Sequence, residues 1–200
     1  MREILPGVLH WTAFHEGIGS NVSSYFVQET GTLIDPMLPS GGPGALAATP
    51  PERIVLSCRH HYRHSDRFVR EFGSPVLCNE AGLHEFEGGP KVEGFRPGDR
   101  LAPDVLALEV NVLSPDETAL HVVAGRGALV IADGLVHWGR SEVGFVPDRY
   151  MGDDPEGVKR GLRAAFKRLA AEQEFDSILF AHGDPLVGKG RQALARFLRE

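Results

Sequence analysis

Strand-like and helix-like segments follow one another along this 200-residue chain in an order that few folds can accommodate. Short runs of apolar and β-branched residues, separated by turn residues, fill the first fifty positions and the stretch 97–136. A strand–helix–strand unit over 54–78 follows the first stretch, and a helix–strand–helix pattern follows the second. This order predicts an α/β protein in which two sheets lie between layers of helices. The length suits a single domain, 1–200, with one well-buried core.

Two helices have clear boundary signals. The triplet Asp154-Pro155-Glu156 supplies an N-cap, a proline at the first helical position and an acid in the first turn, so a helix is predicted to begin there. In the strand–helix–strand unit, Ser65 or Asp66 is expected to cap a short helix that Gly73 ends. The side chains of this short helix that are expected to face inward are Phe68, Val69 and Phe72.

Histidines are concentrated in residues 56–66, directly after the apolar run Ile54-Val55-Leu56. Imidazole is the commonest protein ligand of transition metals, and packing rarely needs it at such density. Asp133 and His182 each follow another strand-like run, so three strand ends are expected to converge on one pocket. The candidate site residues are therefore His60, His61, His64, Asp133 and His182.

Charge and composition disfavour several classes of partner. The net charge is −6, and no run of Lys and Arg stands out, so neither nucleic acid nor an anionic membrane is an expected partner. No apolar stretch is long enough to span a bilayer, and residues 1–7 lack the apolar core of a signal peptide. Cys58 and Cys78 are too few for a disulfide framework. We expect a cytoplasmic protein with a small-molecule substrate; no sequence feature indicates its oligomeric state.

Four segments together resemble the metallo-β-lactamase superfamily. They are Leu33-Ile34-Asp35-Pro36 after the N-terminal hairpins, the histidine loop, Ala132-Asp133, and Ala181-His182-Gly183. The resemblance extends over nearly the whole chain and implies a four-layer αβ/βα sandwich. Members of the superfamily hold one or two metal ions at the edges of the two sheets, and the resemblance implies a hydrolase.

The histidine motif departs from the pattern of that superfamily, which is His-any-His-any-Asp-His. In strict register the four defined positions are occupied by Cys58, His60, Tyr62 and Arg63, so only His60 matches. A later histidine, in a Gly-His-Thr turn, is replaced by the segment 114–118, where Asp116 or Glu117 could stand in for it.

The resemblance implies one Zn or Fe ion held by His60, one of His61 and His64, Asp133 and His182. Such an ion would activate water to hydrolyse a small ester, thioester, lactone or phosphoester. Asp184, two residues after His182, would assist as a proton acceptor or orient a histidine.

A metal-free pocket is the alternative. Here Arg63 replaces the ion and forms a charge-assisted bidentate hydrogen bond with Asp133. The pocket would then bind an anionic ligand through Arg59, Arg63 and the histidines. Residues 145–153 are expected to form either a lid or substrate wall or a plain connection to the next helix. The remaining histidines are expected to be surface or core residues; they are His10, His15, His84 and His121.

Overall fold

The computed structural model describes residues 1–139 and 142–199, and they form two main sheets with helices on the outer faces. The first sheet contains, in spatial and chain order, β1 (Arg2–Leu5), β2 (Val8–His15), β3 (Ser20–Val27), β4 (Thr32–Ile34), β5 (Arg53–Val55), β6 (Val76–Asn79) and β7 (Glu93–Phe95). The antiparallel hairpins β1 to β4 lead into parallel pairs from β4 to β7.

The remaining strands are β8 (Arg100–Ala102), β9 (Val105–Glu109), β10 (Thr118–Val122), β11 (Ala128–Ile131), β12 (Leu135–Val136), β13 (Gly144–Phe145) and β14 (Ser177–Phe180). The second sheet has the order β14-β11-β10-β9-β8, and β12 pairs with β13 in a small separate ribbon. Because β14 lies parallel to β11, both strands end at the same edge of the sheet.

The helices are α1 (Ser65–Phe72), α2 (Pro155–Glu172) and α3 (Gly190–Phe197). Short 3₁₀ turns cover Pro43–Leu46, Arg59–Tyr62, Glu80–Phe86 and Asp148–Tyr150. None of the helices in the described part of the chain is long and apolar enough to cross a membrane.

Three apolar clusters divide the molecule into layers. One contains side chains of both sheets, such as Tyr25 and Leu120, and therefore lies between them. A second joins the outer face of the second sheet to α2 and α3, and a third joins the first sheet to α1. Burial of apolar surface on both faces of each sheet stabilises this arrangement, which confirms the predicted αβ/βα sandwich.

The two helix signals had different outcomes. Asp154 accepts a hydrogen bond from the backbone N–H of Gly157 at 2.8 Å, which confirms the predicted start of α2. Helix α1 ends at Gly73 as expected, but its N-cap is His64, without a side-chain cap, and not Ser65 or Asp66. Phe68 is fully buried, whereas Val69 is 36% exposed, so the inward orientation expected for Val69 was wrong.

Hydrogen bonds between the sheets hold one edge of the sandwich together. The backbone N–H of Ser23 donates to the carbonyl oxygen of Ala181 at 2.9 Å, and the Tyr25 hydroxyl donates to that of Phe180 at 2.7 Å. The Ser23 hydroxyl donates to the carbonyl oxygen of Gly183 at 3.0 Å. These bonds fix β3 against the end of β14, beside the position of His182.

Candidate active site

The loops after β5, β11 and β14 line a cavity of about 820 Å³ together with the β2–β3 hairpin and residues 146–150. The carboxyl ends of these strands carry the histidine loop, Asp133 and His182, as the sequence predicted. The apolar part of the cavity wall includes Ile18, Leu113, Val136, Trp138, Val146, Pro147 and Tyr150. Polar groups from several loops in a largely apolar cavity are typical of small-molecule sites.

Asp133 is the centre of the polar cluster. Its Oδ1 lies 2.8 Å from Nε2 of His182 and 3.2 Å from Nε2 of His61. The thiol of Cys58 donates to the other oxygen, Oδ2, at 3.4 Å. Burial acts to raise the pKa of the Asp133 carboxyl, but the two imidazoles outweigh it and hold the pKa well below its usual range.

A second carboxylate orients His61 from the opposite side of the ring. Nδ1 of His61 lies 2.9 Å from Oδ2 of Asp35 and 3.0 Å from the Ser57 hydroxyl. Asp35 is itself fixed by the Ser57 backbone N–H at 2.8 Å and hydroxyl at 2.5 Å. The His61 ring, 2% exposed, therefore bridges Asp35 and Asp133.

The charge of His61 follows from these contacts. Burial lowers the pKa of the ring, and the Arg63 charge acts in the same direction, but Cys58, Asp35 and Asp133 raise it well above the usual value. Without a metal, His61 is therefore an imidazolium that donates one hydrogen bond to each carboxylate. A metal ion at Nε2 would have to displace one of these protons.

Arg63 is oriented differently from the metal-free prediction. Its φ angle is +46°, directly after the 3₁₀ turn, and its Nη1 donates to the carbonyl oxygens of Ser23 at 2.7 Å and Asp35 at 2.8 Å. The buried Nε and Nη2 have no hydrogen-bond partner within 1–139 and 142–199. The expected bidentate bond to Asp133 is not formed, because the backbone directs the guanidinium towards β3.

His60, His61 and His64 point in different directions. His61 is buried in the cluster, whereas His60 is exposed and lines the cavity. His64 accepts the backbone N–H of Leu38 at 3.0 Å through Nδ1 and is not a cavity-lining residue. Of the five predicted ligands, the structure brings together His61, Asp133 and His182.

The two acids considered as stand-ins for the missing histidine do not reach the cavity. Asp116 is fully buried and binds both the backbone N–H of Arg59, at 2.6 Å, and the Arg59 guanidinium. Glu117, 1% exposed, accepts the backbone N–H groups of Gly134 at 2.7 Å and Leu113 at 3.3 Å. Arg59 lines the cavity, but Asp116 already binds its side chain.

Asp184, expected to act as a proton acceptor or to orient a histidine, is not among the residues that line the cavity. Gly183 has a φ angle of +110°, and a Cβ there would collide with the carbonyl oxygen of His137. Asp184, directly after this glycine, is exposed, and its backbone N–H and carbonyl oxygen bond to His137.

Several cavity or cluster residues were not assigned to the site from the sequence, among them Asp35, which orients His61. Cys58 belongs to the polar cluster, and His15 and Trp138 line the cavity. His15 ends β2 and reaches the site through the β2–β3 hairpin, far from the other site residues along the chain. The Trp138 ring lies 6.0 Å from that of His182. The only signal for His15 in the sequence was its position at the end of a strand. Residues outside the site also end strands, so this position alone did not assign His15 to the site.

The polar cluster has the donor types and spacing of a transition-metal site. Donor atoms of Cys58, His61 and Asp133 all lie within 4.8 Å of one another. Tetrahedral ligands with bond lengths of about 2.0 to 2.3 Å are about 3.3 to 3.8 Å apart. The distances from the Asp133 oxygens to His61 Nε2, 3.2 Å, and to Cys58 Sγ, 3.4 Å, are close to this range. The distance to His182 Nε2, 2.8 Å, is shorter. Cys58, His61 and Asp133 therefore have the spacing to hold one ion, and His182 contacts the same Asp133 carboxylate through Nε2 at 2.8 Å.

Comparison with solved structures identifies the fold. A di-iron-bound form of the protein TTHA1623 is 22% identical, with a TM-score of 0.66 over 93% of this chain and 97% of that chain. The metallo-β-lactamase family protein TTHA1429 from Thermus thermophilus is 16% identical, with a TM-score of 0.68 over 98% and 80%. A Cronobacter sakazakii metallo-β-lactamase with a HARLDQ motif is 19% identical, with a TM-score of 0.64 over 98% and 88%.

These likenesses show that the chain has the metallo-β-lactamase fold, as the sequence resemblance implied. No protein-family model matches the sequence, and a search of curated proteins gave no match.

Proposed function

We propose that this chain is a hydrolase that holds a single Zn or Fe ion with His61, Asp133 and His182. Its substrate is a small ester, thioester, lactone or phosphoester bound in the adjacent cavity. The observation that carries the proposal is the convergence of two imidazole Nε2 atoms on one oxygen of Asp133. His61 lies in the loop after β5 of the first sheet, and His182 lies just after β14 of the second. The contact through Asp133 therefore joins both halves of the sandwich.

The contact between Asp35 and His61 supports metal binding. Histidine ligands commonly donate their second ring N–H to a carboxylate, which fixes the tautomer and makes the other nitrogen a better donor. Asp35 accepts at Nδ1 in this way, so Nε2 is the nitrogen available to an ion. Nitrogen and oxygen donors suit Zn and Fe, and a di-iron form of TTHA1623 has the same fold.

Positive charge at the cavity supports one ion and not two. Arg63 lines the cavity in the sequence register of a family metal-binding histidine, and Arg59 lies nearby in the wall. Asp116 offsets the charge of Arg59, so it is the Arg63 guanidinium that repels a second divalent cation. Neither Asp116 nor Glu117 offers further ligands, because both carboxylates bind other protein groups.

A bound ion would lower the pKa of a coordinated water towards about 7 and polarise a carbonyl or phosphoryl oxygen. The chain's own residues then bind and orient the substrate. Apolar side chains such as Ile18, Trp138 and Tyr150 would pack on its non-reacting part and exclude bulk water. Asp133, held by two imidazoles, would keep its position while substrate enters.

Metal analysis of matched variants tests the metal site. The purified protein is supplemented with Zn, Fe or Mn, dialysed and analysed; less than about a tenth of an equivalent of any of them would contradict the proposal. His61→Ala should lower metal affinity by at least about 100-fold, because it removes a ligand. His60→Ala is the control, since His60 lines the same cavity outside the cluster and its loss should leave metal content unchanged.

Hydrolysis is tested separately with a panel of chromogenic esters, thioesters, lactones and phosphoesters. At least one class should be hydrolysed by the metal-loaded protein and by His60→Ala, but by neither His61→Ala nor the chelated protein. A metal-loaded protein that cleaves none of them at any pH between about 6 and 9, where a metal-bound water ionises, would contradict the hydrolase proposal.

One observation favours a second candidate function, a metal-free protein that binds an anionic ligand. The buried charges of Asp35 and Asp133 are matched by those of His61 and Arg63 without an ion. Negligible metal content would support this function. Arg63→Ala should then destabilise the fold by about 3 to 5 kcal/mol, because it leaves a buried carboxylate uncompensated. Arg126→Ala, at a side chain 87% exposed, is the control, and an equal effect of both substitutions would contradict this candidate.

A further inference from the structure

Resting on the proposed metal site, we propose that the thiolate of Cys58 is a further ligand of the ion. Its Sγ lies 3.4 Å from Oδ2 of Asp133, the carboxylate oxygen that the imidazoles leave free. The sulfur, a nitrogen of His61 and an oxygen of Asp133 form a group whose members all lie within 4.8 Å of one another. The site is therefore a mixed sulfur, nitrogen and oxygen centre.

The surroundings of the two cysteines differ in a way that supports this role. Cys78 is fully buried and packs in the apolar cluster between α1 and the first sheet, as a small hydrophobic residue does. Cys58 is 1% exposed but belongs to none of the three apolar clusters of the described residues. Its sulfur instead contacts the charged group at the centre of the site.

The charges of the cluster can accommodate a thiolate when a divalent ion is present. On coordination the Cys58 thiol and the His61 imidazolium each release a proton to solvent, and two metal–ligand bonds form. The thiolate and Asp133 then match the charge of the ion, and the charge of the Asp35 carboxylate is offset by Arg63, whose guanidinium bonds to the Asp35 backbone carbonyl oxygen. The buried group remains neutral, whereas a protonated Cys58 would leave one excess positive charge.

A thiolate ligand has consequences for metal choice and for the open position. Sulfur donors favour Zn(II), Co(II) and Cd(II) over Mn(II), Mg(II) and Ca(II), because the latter prefer oxygen. With Cys58, His61, Asp133 and His182 as protein ligands, water or substrate would be the fifth ligand, a coordination number that catalytic zinc sites can reach.

Co(II) loading of the chelator-treated full chain tests the inference by spectroscopy. A thiolate bound to Co(II) absorbs in the near ultraviolet through sulfur-to-metal charge transfer, whereas nitrogen and oxygen ligands give only weak visible bands. We expect the charge-transfer band in the wild type and in Cys78→Ser, and its loss in Cys58→Ser. Serine keeps a hydroxyl that can donate to Asp133, so Cys58→Ser removes the sulfur and retains the hydrogen bond.

The outcomes separate this inference from the proposed function. One equivalent of bound Co(II) without the band, or a band lost in Cys78→Ser and kept in Cys58→Ser, would overturn the thiolate ligand and leave the metal site standing. No bound Co(II) would overturn both. X-ray absorption of the Zn-loaded wild type needs no variant: sulfur scattering at about 2.3 Å supports Cys58, and only nitrogen or oxygen at about 2.0 to 2.1 Å refutes it.

Discussion

Glu117 should make the stability of this protein fall as the pH rises from about 5 to 8. Glu117 is 1% exposed, and its carboxylate accepts the backbone N–H of Gly134, which follows the central Asp133. Burial raises the pKa of Glu117 from 4.5 to about 7, although the hydrogen bond from Gly134 acts in the opposite direction. Glu117→Gln, which cannot ionise, should remove this part of the pH dependence.

The size and sign of the effect follow from proton linkage. The pKa of Glu117 is about 7 in the folded chain and 4.5 in the unfolded chain, a difference of about 2.5 pH units. At about 1.36 kcal/mol per unit, this difference corresponds to about 3 kcal/mol of stability. The folded state binds the Glu117 proton more tightly than the unfolded state. The stability that this proton contributes is therefore fully present below the pKa of Glu117 in the unfolded chain, and it is lost as the pH rises through the pKa in the folded chain. The free energy of unfolding should therefore drop by about 2 to 3 kcal/mol between about pH 5 and 8 from this group.

Urea unfolding followed by tryptophan fluorescence at several pH values, with a chelator present, measures the effect. The free energies of wild type and Glu117→Gln are compared at each pH, so that contributions of Asp133 and His61 common to both chains cancel. Glu71→Gln, on the exposed side of α1, is the control and should follow the wild type. If Glu117→Gln has the same pH slope as the wild type, the reasoning from burial is refuted.

Three further substitutions test the fold around the site. Gly183→Ala should destabilise the folded chain by at least about 3 kcal/mol, because φ is +110° and the new Cβ would meet the carbonyl oxygen of His137. Urea unfolding measures this loss, and a value below about 1 kcal/mol would contradict the expectation. Tyr25→Phe should cost about 1 to 2 kcal/mol through the lost bond to the Phe180 carbonyl oxygen, and an unchanged unfolding midpoint would show that the bond between the sheets does not contribute. Asp154→Ala should cost about 1 kcal/mol by removing the N-cap of α2, measured by thermal unfolding, and no change would contradict that role.

Local patterns were sufficient for most of the secondary structure. Helix α2 has its proline and acid where a first turn needs them, and its N-cap is the predicted Asp154. The cap of α1 was not predictable in the same way. His64 takes that position because its ring bonds to the backbone of Leu38, 26 residues away along the chain. A contact over that distance leaves no periodic signal near the helix.

The orientation of the three clustered histidines could not be predicted from local sequence. The turn that carries them is irregular at His61 (φ −93°, ψ 20°), and the His61 ring is buried in the polar cluster whereas His60 is exposed at the cavity wall. Which of them enters the cluster depends on Asp35, which lies at the end of a neighbouring strand and accepts from His61. The positive φ of Arg63 likewise directs its guanidinium to carbonyl groups of that sheet region and not to Asp133.

By itself, the sequence determined the layered sandwich and the three strand ends that carry the site, because apolar periodicity and turn residues act over a few positions. Which side chains meet there depends on the packing of the whole chain: Cys58, His61, Asp133 and His182 converge, while His64, Asp116 and Asp184 bond to other groups. These choices depend on hydrogen bonds and charges between segments that are distant in sequence, and such partners become neighbours only when both sheets have packed together.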